Sequence, residues 1–162
     1  MPATPEELLR RLDELAISTT TVEHPPLFTV EESKALRGQL PGGHCKSLYL
    51  RDKKKRNFLL VALEDQPVDL SSLPDKLGAG RLSFGSADRL MEFLGVIPGS
   101  VTPFALINDP DQRVEVALHR AMLEHDPLNY HPLVNTMTTA IRPDDLLKFI
   151  RACGHEPKIV DL

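Results

Sequence analysis

The stretch Cys45-Lys46-Ser47-Leu48-Tyr49-Leu50-Arg51, continued by Asp52-Lys53-Lys54-Lys55-Arg56-Asn57 and Phe58-Leu59-Leu60-Val61-Ala62-Leu63, sets the reading of the fold. Its first part alternates: Lys46, Leu48 and Leu50 share one face of a strand, and Cys45, Ser47, Tyr49 and Arg51 the other. Its last part is apolar on both faces, as in a strand covered on both sides. The charged run between them is a turn, so the whole predicts a hairpin with a basic tip at the centre of a sheet.

Outward from this hairpin, the chain alternates strand and helix signals. Thr4-Pro5 with Glu6 and Glu7 behind it marks an N-cap, and Leu8, Leu9, Leu12 and Leu15 at helical spacing predict a helix over 5–15. Residues 18–23 are β-prone. Thr29 with Glu32 forms a capping box for a helix over 29–37, and Pro41-Gly42-Gly43 turns the chain into the hairpin. Beyond it, Asp69 leads a short helix to about Leu77, and Ser86 caps a second one to Leu94. Val114, Val116 and Leu118 alternate. Tyr130-His131-Pro132 and 135–141 give one or two strands, Pro143 opens a helix to Ala152, and Ile159-Val160 supply a short edge strand. About six strands and five helices in mixed order predict an α+β (mixed α/β) fold, one domain over 1–162.

A second segment, Gly99-Ser100-Val101-Thr102-Pro103-Phe104-Ala105-Leu106, follows the turn Ile97-Pro98. Pro103 fixes its own φ and pushes Thr102 toward extended backbone, while Gly99 reaches angles closed to other residues. Such a Gly-x-x-x-Pro loop offers a stiff, bare backbone to a small ligand; read alone, it is a loop feeding a strand over Phe104–Ile107.

Composition narrows the classes. Apolar residues make up 41% and charged residues 26%, ordinary for a soluble domain of 162 residues. No run of about 18 apolar residues predicts a membrane span. The start of the sequence is acidic and lacks the apolar core of a secretory signal. Two cysteines make no disulfide scaffold, so a reducing cytoplasm is expected. A net charge of −4, with no basic helix face, argues against DNA binding through bulk charge.

Individual residues admit plain and chemical readings. Lys46 on an apolar face is either a lysine snorkelling at a strand end or a cation at a pocket mouth, where an ammonium can hold a phosphate or a polarised carbonyl. Arg51, Lys53, Lys54, Lys55 and Arg56 form either a solvated tip or a grip on a phosphate backbone. His131 and Asn135 flank Pro132 as a satisfied strand end or as pocket polar groups. Cys45 beside His44 suggests a thiol nucleophile, but strand neighbours point to opposite faces and cannot activate each other. A zinc site from His44, Cys45, Cys153 and His155 lacks any Cys-x-x-Cys pair.

Taken together, Gly43 to Leu50 with Asp52-Lys53-Lys54-Lys55, Gly99 to Leu106 and Tyr130-His131-Pro132-Leu133-Val134-Asn135-Thr136 resemble the YbaK/ProX family, most closely its free-standing, prolyl-tRNA-synthetase-associated ProX type. The resemblance extends to Val22-Glu23-His24-Pro25 and Phe28-Thr29-Val30-Glu31-Glu32, and so covers nearly the whole chain. It implies a barrel-like mixed sheet surrounded by helices and an editing deacylase that hydrolyses alanine from proline tRNA, without metal or cofactor. It implies that Lys46 is the functional lysine, that Gly99, Ser100, Val101, Thr102 and Pro103 wall the aminoacyl pocket, and that His131 stands near it. It also implies tRNA, and prolyl-tRNA synthetase, as partners. Two alternatives stay open: a deacylase for another small or thiol amino acid such as cysteine on proline tRNA, and a non-catalytic tRNA- or synthetase-binding module.

Overall fold

The computed structural model describes residues 1–26, 31, 32, 35 and 40–162. Its helices are α1 (Pro5–Glu14), α2 (Leu73–Leu77), α3 (Ala87–Leu94) and α4 (Pro143–Ala152). Its strands are β1 (Thr20–Glu23), β2 (Gly43–Asp52), β3 (Asn57–Leu63), β4 (Leu82–Phe84), β5 (Val114–His119), β6 (Leu128–Tyr130), β7 (Met137–Ile141) and β8 (Lys158–Val160). All eight join one sheet in the order β1-β7-β6-β2-β3-β5-β8, with β4 paired to β2. Antiparallel and parallel ladders mix, as expected of the α+β pattern: β2–β3 is antiparallel, and β3–β5 and β5–β8 are parallel. The helix expected over 29–37 falls largely outside the described residues.

The hairpin is the centre of this sheet. Its ladder runs from Cys45↔Leu63 to Arg51↔Asn57. Tyr49, Leu59 and Val61 enter one core cluster, and Leu50, Phe58 and Leu60 the other. That division explains the unbroken apolar run of β3, which has no solvent face. At the tip, the buried Asp52 carboxylate accepts the N–H groups of Lys54 and Arg56, each at 2.9 Å, and of Gly80 at 3.1 Å. Burial alone would raise its pKa; these three donors outweigh burial and hold the carboxyl below its ordinary value.

Helix ends follow the sequence signals. Thr4 and Glu7 form the reciprocal capping box of α1, and Ser86 caps α3, which Gly95 ends in left-handed backbone. The segment after Gly99 departs from expectation. Residues Pro103–Asn108 form a 3₁₀ helix, not a strand. Thr102 is extended (φ −160°, ψ 149°), its hydroxyl accepts the Phe104 N–H at 3.2 Å, and Pro103 takes the first helical position with its φ already suited. Phe104 is fully buried, edge-on to Tyr130 at 6.0 Å and to Phe149 at 5.5 Å, and so pins the Gly99 loop to β6 and α4. Strand β4 is the other departure: three residues, two of them exposed, carry too little pattern to be read.

Asp109 closes the turn before β5. Its buried carboxylate accepts the N–H groups of Arg113 (3.0 Å) and Val114 (2.9 Å) and meets His155 Nε2 at 2.9 Å, which ties the α4–β8 connection to the rest of the chain. Removing it strands an imidazole and two amides in the interior. Asp109→Ala is therefore expected to cost about 3 kcal/mol in chemical denaturation; a loss below about 1 kcal/mol would contradict this role.

Candidate active site

Strand β2 has unequal edges. Along one, β3 pairs with it from Cys45 to Arg51. Along the other, β6 pairs only at Gly43 and His44, and β4 only from Leu50 to Asp52. Between these two partners the edge has no strand beside it among the described residues. The β6 end is fixed by close backbone approach. Gly42 has φ +96°, and a Cβ there would lie 2.1 Å from the Pro127 carbonyl oxygen, so only glycine fits. Asn129 Nδ2 donates to the carbonyls of Pro41 and Gly43 at 3.0 and 3.1 Å, which locks the turn into β2.

Where the edge is left open, a cavity of about 280 Å³ forms, lined by residues 44–47, Glu64, Gly99, Val101, Asn129, Tyr130, His131 and Thr138. Lys46 is half-buried at its wall, and its Nζ donates to the Gln66 carbonyl at 2.5 Å, which leaves two further N–H bonds for a ligand. Gly99, opposite, has φ +91°; a Cβ there would meet only Asn135 Nδ2, at an ordinary 3.8 Å. Glycine is required at that point by backbone angle, not by crowding. Ser100 N–H closes the turn onto Ile97, whereas no bond within the protein occupies the N–H of Gly99 or of Val101 among the described residues.

His131 lines the cavity with its Nδ1 3.0 Å from the Met137 carbonyl. Nδ1 must be the protonated nitrogen, which leaves Nε2 as an acceptor. Burial lowers the pKa of this imidazole, and the neighbouring His24 lowers it further, against the opposing Met137 bond, so the ring is neutral near pH 7. Behind it, His24 Nδ1 lies 2.8 Å from the Pro25 carbonyl and its Nε2 2.8 Å from the Thr138 hydroxyl.

The structure thus brings Lys46, Gly99, Val101 and His131 to one cavity. Ser100, Thr102 and Pro103 are buried behind the wall and brace it, and Asn135 borders Gly99 without lining the hollow. The basic residues lie at the far end of β2. Arg56 there is held by Glu115 and the Gly78 carbonyl, and Arg51 by Asn57, with its guanidinium 5.6 Å from the Phe93 ring centroid. Glu64, Asn129, Tyr130 and Thr138 join the lining without having been singled out. Asn129, Tyr130 and Thr138 arrive through the pairing of β6 with β2 and of β7 with β6, which no local pattern signals, and Glu64 through the end of the β2–β3 hairpin, where its N–H donates to the His44 carbonyl at 2.8 Å.

Cys45 lines the cavity as well, but burial pushes its thiol up to about 12, so it is not a thiolate nucleophile. Burial likewise pushes Cys153 up to about 11. Iodoacetamide at pH 8 is therefore expected to label both cysteines at least tenfold more slowly in the native protein than in urea, read by mass spectrometry. Equal rates would contradict these environments.

Comparison with known proteins places the chain in a family. Residues 24–149 match the model of the aminoacyl-tRNA editing domain. The chain is 41% identical over 160 residues to a prolyl-tRNA synthetase associated domain-containing protein 1 of Mus musculus, covering 96% of this chain and 94% of that one. It is 37% identical over 158 residues to a prolyl-tRNA editing protein ProX of Acetoanaerobium sticklandii, covering 97% and 96%. A solved structure proposed to be a trans-editing enzyme for prolyl tRNA synthetase superposes with a TM-score of 0.74 at 18% identity, over 100% of this chain and 99% of that one; at that identity it speaks to the fold. With a family match over most of its length and relatives this close, the chain belongs to the aminoacyl-tRNA editing domain family, in its prolyl-tRNA-synthetase-associated ProX branch.

Proposed function

We propose that the whole chain, 1–162, is one trans-editing domain that hydrolyses the ester of alanine mischarged on proline tRNA, in the cytoplasm. The observation that carries this reading is the cavity of about 280 Å³ that Lys46 lines together with Gly99, Val101 and His131. The ProX relative is named for prolyl-tRNA editing, and a further relative, 25% identical over 122 residues (72% of this chain, 17% of that one), is named for proline–tRNA ligation in Schizosaccharomyces pombe, which supports a synthetase partner.

An aminoacyl ester is already activated, so the site needs to orient water and stabilise a developing oxyanion more than it needs a nucleophile. The N–H groups of Gly99 and Val101, which have no partner within the described protein, are suited to that oxyanion. Lys46 keeps two donors for the ester carbonyl or the terminal phosphate. Neutral His131, with Nε2 open, offers an acceptor to the α-amino group or to the water. The carboxylate among the described cavity residues is Glu64, to which this reading gives no general-base role, and the Cys45 thiol is protonated. The 2′-hydroxyl of the terminal ribose, adjacent to the ester, takes that orienting role in this reading.

Discrimination follows from size. A synthetase pocket that fits proline rejects the smaller alanine by only about 1–3 kcal/mol per missing methylene. A second, rigid and smaller pocket supplies the rest. The Gly99 wall, braced by buried Ser100, Thr102, Pro103 and Phe104, is such a boundary.

Incubation with proline tRNA charged separately with alanine, cysteine, serine and proline is expected to release alanine fastest. Preferential release of cysteine would favour the thiol-editing alternative, and no release of any would leave only a binding module. Lys46→Ala is expected to lower the deacylation rate by about 10²–10³ with the fold retained by circular dichroism, the size seen when one oxyanion donor is removed; wild-type turnover in that variant would refute the assignment. Substrate ending in 2′-deoxyadenosine is expected to turn over at least tenfold more slowly, and an unchanged rate would remove the hydroxyl from the mechanism.

A further inference from the structure

Beyond the cavity, two features of β2 and its neighbour β4 have no part in the core. Phe84, opposite Leu50 in the β2–β4 ladder, is 64% exposed on a three-residue strand that pairs with nothing but β2 among the described residues. Lys53, Lys54 and Lys55 are all exposed, and none forms a salt bridge among the described residues, whereas the arginines at either end of the run are engaged. The tip that carries them is rigid: Asp52 holds the N–H groups of Lys54 and Arg56, Lys53 N–H donates to the Arg81 carbonyl, and Lys55 sits in left-handed backbone. The ammonium groups are thus presented on a fixed frame, which lowers the ordering cost of binding.

Spacing along one continuous strand relates these features to the cavity. From Lys46 to Leu50, the partner of Phe84, is four residues, about 13 Å; from Lys46 to Lys53 is seven, about 23 Å, at roughly 3.3 Å per residue. Stacked nucleotides at about 3.4 Å each would cover these spans in about four and about seven steps. Leu50 also lies on the Lys46 face of β2, and a cross-strand partner shares its face, so Phe84 stands on the side of the sheet that carries Lys46.

We propose that Phe84 and the Lys53–Lys55 tip form a track for the 3′ strand of the tRNA acceptor end, Phe84 stacking on a base near the junction of the unpaired end with the stem and the three lysines contacting stem phosphates. The proposal rests on the cavity being the aminoacyl site. It explains how a chain of net charge −4 holds a polyanion, through one local, salt-sensitive grip. It also assigns the track affinity without base choice, because phosphate and stacking contacts are sequence-tolerant.

The test measures binding of uncharged full-length proline tRNA and of a CCA trinucleotide to the wild-type protein, to the triple variant Lys53→Gln, Lys54→Gln, Lys55→Asn, and to Phe84→Ala, across a salt series. Asparagine is chosen at 55 because it tolerates left-handed backbone. For full-length tRNA the triple variant is expected to bind at least tenfold more weakly, with the slope of log Kd against log salt reduced by about 3. Phe84→Ala is expected to weaken binding about tenfold with little change of slope. Trinucleotide affinity is expected to stay constant in both, and replacement of all three lysines by arginine to restore the tRNA affinity. An unchanged Kd and slope in the triple variant, or equal losses toward trinucleotide and tRNA, would overturn the track. Because uncharged tRNA is used, failure of the deacylase reading shows separately, as intact ester in the charged-tRNA assay.

Discussion

Backbone polar groups along a strand must be satisfied by a neighbour or by solvent, and among the described residues β2 leaves part of one edge without a neighbouring strand. β6 departs after His44 and β4 arrives only at Leu50. The intervening residues sit inside a sheet yet face a hollow instead of another strand. The candidate site gathers there: the half-buried Lys46, Gly99 and Val101, and the imidazole of His131. A sheet with a vacancy in its ladder produces a concave site without distorting its strands.

The wall opposite Lys46 is stiff for reasons that lie behind it. Thr102 caps the 3₁₀ helix, Pro103 opens it, and Phe104 is clamped by two aromatic rings. Gly99 is then the one residue of the loop whose backbone must take a left-handed angle at the cavity. Packing energy in the core is thereby converted into fixed positions for N–H groups at the surface. Preorganisation of this kind is what a site stabilising a transient oxyanion requires.

Much of the fold was legible in the residues. The capping box at Thr4 and Glu7, the Ser86 and Gly95 pair around α3, and the doubly apolar Phe58–Leu63 run each have a local physical cause that the structure repeats. Phe104 to Ile107 did not read correctly, because four apolar residues suit a strand and a short helix alike; the Thr102-Pro103 pair, an N-cap followed by a first-turn proline, was the signal that decides it. Lys46, Gly99 and His131 could be nominated from their motifs. The rest of the lining could not, because Asn129, Tyr130 and Thr138 reach the cavity through the long-range pairing of β6 with β2 and β7. Nor could sequence divide the basic turn into arginines bound within the protein and lysines left outside.

Both cysteine thiols of the chain are protonated and sheltered, and one of them borders the cavity. Peroxide and disulfides react with thiolates, so neither sulfur offers an easy first rung toward sulfenic or sulfinic acid. The groups proposed to act at the cavity, an ammonium, amide N–H groups and an imidazole, include no thiolate. Editing by the proposed mechanism is thereby insulated from oxidant bursts that silence enzymes built on a reactive cysteine.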